Sequence, residues 1–308
     1  MSVAAQWLDN LHVPSHEVPV GLPMRTTQWR KNQKIIKNAA KTPDAAKSPL
    51  EAAIHAGSLG EVKKLVASGA SPDLIGWRGL TMLMLAAYFG KPEIFKFLAS
   101  KTRNYDFVTS QNFTLLMAAA IGGNADIVRW VLKNSQIPLS HKNNTGETAL
   151  VYAAGNRRIE ILEILLAGDT LFLGVDPPPY KNDALFAASE SGYADVVRYL
   201  LDRQKANYAT YLHAMLMKAL WGGKMDIAKV LVEHGADINQ DPTGTVTFLN
   251  SRLFYGHHSD VEAARELGMN LEAVADYGKT VRQLVRNWED KTKKTAALAL
   301  LDKLGVAK

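Results

Sequence analysis

Side chains able to do chemistry are thinly spread along this chain. The tightest group is His257-His258-Ser259-Asp260, where two imidazoles and a carboxylate fall close enough for a metal or an acid–base pair. The competing reading is an inter-helix loop, because Gly256-His257 has the form of a helix exit. The remaining histidines, His12, His16, His55, His141, His213 and His234, are scattered. Two carboxylate pairs, Asp260 with Glu262 and Glu160 with Glu163, lie beside lysines and arginines at helical spacing, so they read as solvated faces with ion pairs. No Gly-x-x-x-x-Gly-Lys-Ser/Thr, Gly-x-Ser-x-Gly or His-Glu-x-x-His occurs. The chain has no cysteine, which removes thiolate metal sites, iron–sulfur clusters, disulfides and cysteine nucleophiles together. We therefore expect no catalytic residue, no metal and no cofactor. The chemistry left is recognition.

Composition agrees. The chain has 308 residues, 47% hydrophobic and 21% charged, with a mean hydropathy of -0.10. That is too apolar for disorder, and no run approaches the roughly 18 apolar residues of a membrane span. The start lacks a basic region followed by an apolar stretch, so no secretory signal is expected and the location is read as cytoplasmic, with non-classical secretion into a host left open. The formal charge of +6 is concentrated at the start. There Arg25, Arg30, Lys31, Lys34, Lys37, Lys41 and Lys47 face only Asp9, Glu17 and Asp44. The rest is close to neutral, unlike a body shaped for a phosphate backbone.

What positions the recognition residues is a repeat. Thr81-Met-Leu-Met-Leu-Ala-Ala-Tyr-Phe-Gly90 returns as Thr114-Leu-Leu-Met-Ala-Ala-Ala-Ile-Gly-Gly123 and, more loosely, from Thr148. Ser48-Pro-Leu-Glu-Ala-Ala-Ile-His-Ala-Gly57 is the same frame one unit earlier, and later copies are placed at Asp183, Ala214, Thr247 and Thr280. Each unit reads as two helices. The first carries a pair of small residues (Ala86-Ala87, Ala153-Ala154, Ala187-Ala188) where it must approach its neighbours, and a glycine ends it. The second has apolar residues at helical spacing, as in Ile127-Val128-Val131-Leu132 and Ile161-Leu162-Leu165-Leu166. A turn follows, most legibly Gly235-Ala236-Asp237-Ile238-Asn239.

This frame resembles the ankyrin repeat, with its Thr-Pro-Leu-His-x-Ala-Ala-x-x-Gly-His opening and Gly-Ala-Asp-Val-Asn turn. The resemblance covers residues 45–308 and implies an all-α solenoid of seven to eight helix-turn-helix units. Such units bury their apolar faces only against one another, so the ends must be capped. Glu51 and His55 give the first helix a polar face, and Ala296, Leu300 and Leu304 are expected to turn the last helix inward. Residues 1–47 are assigned as a basic leader and capping helix, and 48–308 as the repeat stack. A bend is expected near residues 175–210, where Pro177-Pro178-Pro179 stiffens one turn.

The resemblance also implies where a partner sits: on a concave face formed by the turn tips and the exposed ends of the first helices. In this chain those rows hold Trp77, Arg78, Tyr88, Phe89, Tyr180, Tyr211, Trp221, Phe254, Tyr255, Tyr277 and Trp288. Aromatic side chains and arginine are the usual anchors of protein interfaces, since they bury much area at small rotamer cost. Some of these rings could instead fill the space between helices. The expectation is a monomeric, non-enzymatic scaffold binding a partner protein through an aromatic stripe. The lack of cysteine points to a bacterial or phage inhibitor or host-interacting effector. The alternative is a nucleic-acid or anionic-ligand binder using the basic leader, with Trp29, Ile35 and Ile36 as apolar anchors.

Overall fold

The computed structural model describes residues 48–167, 183–208 and 211–307. The chain divides at Lys47/Ser48 into two units, and all that follows concerns the second. The expected leader and capping helix, and the proline segment with Tyr180, lie outside the described residues.

The described residues form eight pairs of α-helices, sixteen in all. In chain order they are α1 (Pro49–Ala56), α2 (Leu59–Ala67), α3 (Met82–Tyr88), α4 (Pro92–Ala99), α5 (Leu115–Gly122), α6 (Ala125–Asn134), α7 (Ala149–Gly155) and α8 (Ile159–Ala167). The second half continues with α9 (Ala184–Ser191), α10 (Ala194–Tyr208), α11 (Leu212–Trp221), α12 (Met225–Glu233), α13 (Pro242–Phe254), α14 (His258–Glu266), α15 (Val281–Arg286) and α16 (Lys291–Lys303). Odd-numbered helices open each repeat and pack on one another, and even-numbered helices form the row behind them.

Local chemistry fixes both ends of the opening helices. The Thr81 and Thr114 hydroxyls accept the backbone N–H groups of Met84 and Met117, and Asp183 accepts that of Leu185. Gly57, Gly123 and Gly192 end α1, α5 and α9 in the left-handed region. In the fourth repeat Arg157 stands at the glycine position and still adopts φ 58°. The turns before α3, α5, α7 and α15 share one pattern. In each, a backbone N–H donates to the carbonyl four residues on (Gly76 to Leu80, Thr109 to Phe113, Asn143 to Glu147, Ala275 to Lys279).

Helix α1 departs from the sequence expectation. Glu51 is buried rather than part of a polar face. Its carboxylate closes a capping box, accepting the Ser48 N–H at 2.7 Å, and also accepts the N–H of Trp77 in the next repeat. The register of repeats six and seven differs too. α11 starts after Tyr211 and α13 after Asp241, not at the expected 214 and 247. The Asp241 side chain caps the latter and Pro242 takes its first turn, where a missing N–H costs nothing.

Small residues let the opening helices touch. Ala86, Ala87, Ala118, Ala119, Ala120, Ala153, Ala154 and Ala188 are all buried. A Cβ placed on Gly122 would lie 2.0 Å from the Ala87 carbonyl oxygen, so backbone meets backbone there. The even helices bury the expected stripes, except that Leu132 is 39% exposed. In α16 the buried residues are Ala297, Leu300 and Leu301, and Ala296 faces solvent. The helix is rotated by one position from the sequence expectation.

In repeat seven Arg252 occupies a small-residue position. Its guanidinium donates to the carbonyl oxygens of Leu220 and Trp221 at the end of α11, and lies 3.5 Å from Asp260. Two other cations cap preceding helices in this way. Arg158 donates to Ile121 O at 3.1 Å, and Lys224 to Ser189 O and Glu190 O at 2.8 and 3.0 Å. Positive charge at a helix C-terminus satisfies orphan carbonyls and opposes the helix dipole.

Candidate functional site

The structure separates the expected aromatic stripe into two clusters with a polar stretch between them. The first belongs to repeats one and two. There α1 and α3 place His55 against Phe89 with ring centroids 4.8 Å apart, and Phe89 against Tyr88 at 5.2 Å. Trp77, delivered by the preceding turn, meets Tyr88 at 6.1 Å, and the Arg78 guanidinium lies 4.8 Å from the Trp77 ring. All three ring pairs are edge-to-face, the arrangement favoured by the aromatic quadrupole. Trp77, Tyr88 and Phe89 are half-buried, and Arg78 is exposed at φ 57°. The Tyr88 hydroxyl is buried without a hydrogen-bond partner. Burial pushes it up to about 12, with the Arg78 charge pulling the other way.

The second cluster belongs to repeats six to eight. Phe254 and Tyr255, at the end of α13, are 5.3 Å apart, and Trp288, after α15, is 5.2 Å from Phe254. The Trp288 indole N–H donates to Asn250 at 3.3 Å, fixing the ring. Lys293 of α16 sets its ammonium 4.0 Å from the Phe254 centroid. Trp221 packs at 5.8 Å against Phe248, which is fully buried, and Arg252 lies beside both rings. Tyr255 is 51% exposed, and Phe254, Trp221 and Trp288 are half-buried.

Between the clusters the same row reads Ile121, buried, then Asn156, Glu190 and Ser191. The Glu190 carboxylate is 7% exposed and sits 3.2 Å from Lys218 and 3.7 Å from Lys224. Lys218 in turn lies 3.9 Å from the Phe186 ring. Two predicted residues stand apart. Tyr211 is the half-buried residue that opens α11 rather than a turn tip. Tyr277 is a tip, 53% exposed, in the turn bridged by Val274 and Thr280. Tyr180 lies outside the described residues.

Sequence reasoning missed Phe248, Arg252 and Lys293. A charged residue where other repeats carry alanine was the available signal for Arg252. Nothing in the period announces that Lys293 would fold back over Phe254.

The chemical candidates do not converge. His257 is exposed ahead of α14, His258 begins that helix, and Asp260 faces Arg252. Glu160 faces Arg129 at 3.5 Å. Glu262 accepts from Lys303 at 2.8 Å, and that hydrogen bond, with the lysine's charge, lowers its carboxyl below the ordinary value. No group of three or more His, Asp or Glu able to hold a metal ion occurs among the described residues. One buried polar pair is structural. Tyr152, buried, donates to Glu147 at 2.7 Å, and burial first, then that carboxylate, raises its hydroxyl.

Comparison with known proteins finds models of ankyrin repeats matching residues 50–99, 83–173 and 169–241. An ankyrin repeat and KH domain-containing protein of Caenorhabditis elegans is 29% identical over 196 residues, covering 62% of this chain and 7% of its own length. Its counterpart in Caenorhabditis briggsae is 32% identical over 215 residues, 69% of this chain and 8% of that protein. An ankyrin repeat protein of fowlpox virus is 25% identical over 195 residues, 63% of this chain and 37% of its own. The chain thus spans well under half the length of each of these relatives.

Proposed function

Because the chain belongs to the ankyrin-repeat family, whose repeats generally mediate protein–protein interaction, we propose that it is a non-enzymatic scaffold holding a partner protein against the two ring clusters. One observation carries this reading. Half-buried rings are locked edge-to-face on a backbone whose opening helices are in van der Waals contact, with Tyr255 and Tyr277 left more than half exposed. Rings already immobilised lose little entropy when covered, and a stack that does not rearrange pays little for association. The mechanism is steric: masking a partner's working surface or tethering it in place. An inhibitor and a host-interacting effector would both act this way.

The exposure pattern selects the test. Trp221 and Phe254 support their neighbours, so truncating them perturbs packing. Tyr255 and Tyr277 can be truncated without opening a cavity. With the full chain as bait in an extract of its own source cells, proteins retained by wild type and lost by the Tyr255→Ala/Tyr277→Ala double variant are the expected partners. The melting temperature should stay within about 2 °C, as for surface changes costing under about 0.5 kcal/mol. An identical set of retained proteins for both chains, with both folded, would remove these tyrosines from the binding face.

A further inference from the structure

Resting on that reading, we propose that the segment taken by this face is an acidic polypeptide, with carboxylates meeting Arg78 and Lys293 and apolar or aromatic side chains meeting the rings beside them. The argument is one of charge left over. Most cations along the row are answered by the protein itself: Lys218 and Lys224 by Glu190, and Arg252 by Asp260. Arg78 and Lys293 are different. Each is laid on a ring, Trp77 and Phe254 respectively, and neither has a carboxylate within ion-pair distance among the described residues. The nearby Asp290 carboxylate is engaged in capping α16. A cation resting on an aromatic face is held in position yet keeps outward N–H donors, so a carboxylate can be accepted with less loss of side-chain freedom.

These two ring-borne cations therefore mark both clusters with the same demand, a negative group beside an apolar one. Single-stranded nucleic acid makes a related demand, through stacked bases and phosphates. Its affinity, however, rests on many neutralised phosphates, and beside the ring clusters Lys218, Lys224 and Arg252 are already answered by carboxylates, which leaves the row few cations for phosphates. An acidic segment of polypeptide is the better match.

The full chain is to be panned against a displayed library of random short peptides, and a selected sequence synthesised for titration. Selected sequences should be enriched in Asp and Glu together with Trp, Tyr or Phe. The synthetic peptide should bind about tenfold more weakly to the Arg78→Glu/Lys293→Glu variant, weaken with added salt, and keep its affinity for Lys293→Arg. Should Arg78→Glu lower the melting temperature, Lys293→Glu alone provides the same reading for peptides that are lost with Tyr255→Ala. Peptides without acidic enrichment, lost with Tyr255→Ala but indifferent to charge reversal, would overturn the acidic partner and leave the binding face standing. Peptides indifferent to Tyr255→Ala as well would remove the face itself. A tighter hold on poly(U) RNA than on any selected peptide, lost on charge reversal, would replace polypeptide by nucleic acid and overturn the proposal.

Discussion

Replacing Arg157 by glycine isolates one backbone term in this fold. Six repeats close their first helix with glycine in the left-handed region, at φ between 62° and 82° (Gly57, Gly90, Gly123, Gly192, Gly223, Gly256). The fourth does it with Arg157 at φ 58°, where a Cβ crowds the following carbonyl. Relief of that crowding contributes about 1 kcal/mol. Against it stand the Arg157–Asp195 pair, at 2.8 Å but 60% and 39% exposed, and the contact with Tyr193 at 6.0 Å. At that exposure the pair contributes about 0.2–1 kcal/mol, so Arg157→Gly alone should be nearly neutral and uninformative. The comparison that decides is Arg157→Gly against Arg157→Ala, both of which lose the ion pair. Glycine should be the more stable by about 1 kcal/mol, read as the shift in urea midpoint at unchanged slope. In an Asp195→Asn background, Arg157→Gly should stabilise outright. If alanine matches glycine in both backgrounds, Arg157 is not strained and the residue closes the helix by another means.

Two further perturbations address other parts of the stack. Gly122→Ala drives a methyl towards the Ala87 carbonyl oxygen, a clash with backbone that should outweigh the opposing helix-propensity gain of about 1 kcal/mol and leave a net destabilisation of about 1–2 kcal/mol in thermal or urea unfolding; unchanged or raised stability would mean the opening helices are not in backbone contact. Tyr88→Phe removes a buried hydroxyl with no partner, so stability at neutral pH should hold or rise slightly. Because folding raises this hydroxyl from 10.0 to about 12, its contribution to stability is fully present below pH 10 and is lost as pH climbs towards 12. The part carried by Tyr88 is at most about 2.7 kcal/mol, and the difference between wild type and variant urea midpoints at pH 8 and pH 11 measures it; parallel alkaline losses would dissociate Tyr88 from the effect.

The fold was legible where one residue type has one job. Alanine pairs and closing glycines each answer a single steric demand, so their recurrence sets the frame of the first five repeats. The reading slipped where a side chain serves two repeats. Ser48-Pro49-Leu50-Glu51 contains a capping box in plain view, yet the burial of Glu51 depends on the Trp77 N–H of the next repeat. Asp241-Pro242 is an equally clear helix start, but counting a fixed period from earlier repeats set the frame past it. The candidate site shows the same division. The sequence named most of the rings, whereas which ring supports which depends on distances across repeats.

Arg252 shows why the two clusters should not behave alike. In the early repeats alanine against alanine leaves no room between opening helices, and Trp77, Tyr88 and Phe89 gather beside the seam. In repeat seven the place of a small residue is taken by a guanidinium that must reach Leu220, Trp221 and Asp260, and Trp221 and buried Phe248 pack alongside it. The aromatic contacts there belong to the joint between repeats. Recognition at the C-terminal cluster is thereby tied to the integrity of that joint, while at the N-terminal cluster the rings rest on a seam that closes without them. Tyr255, at the edge of the joint with half its surface in water, is where the two roles separate.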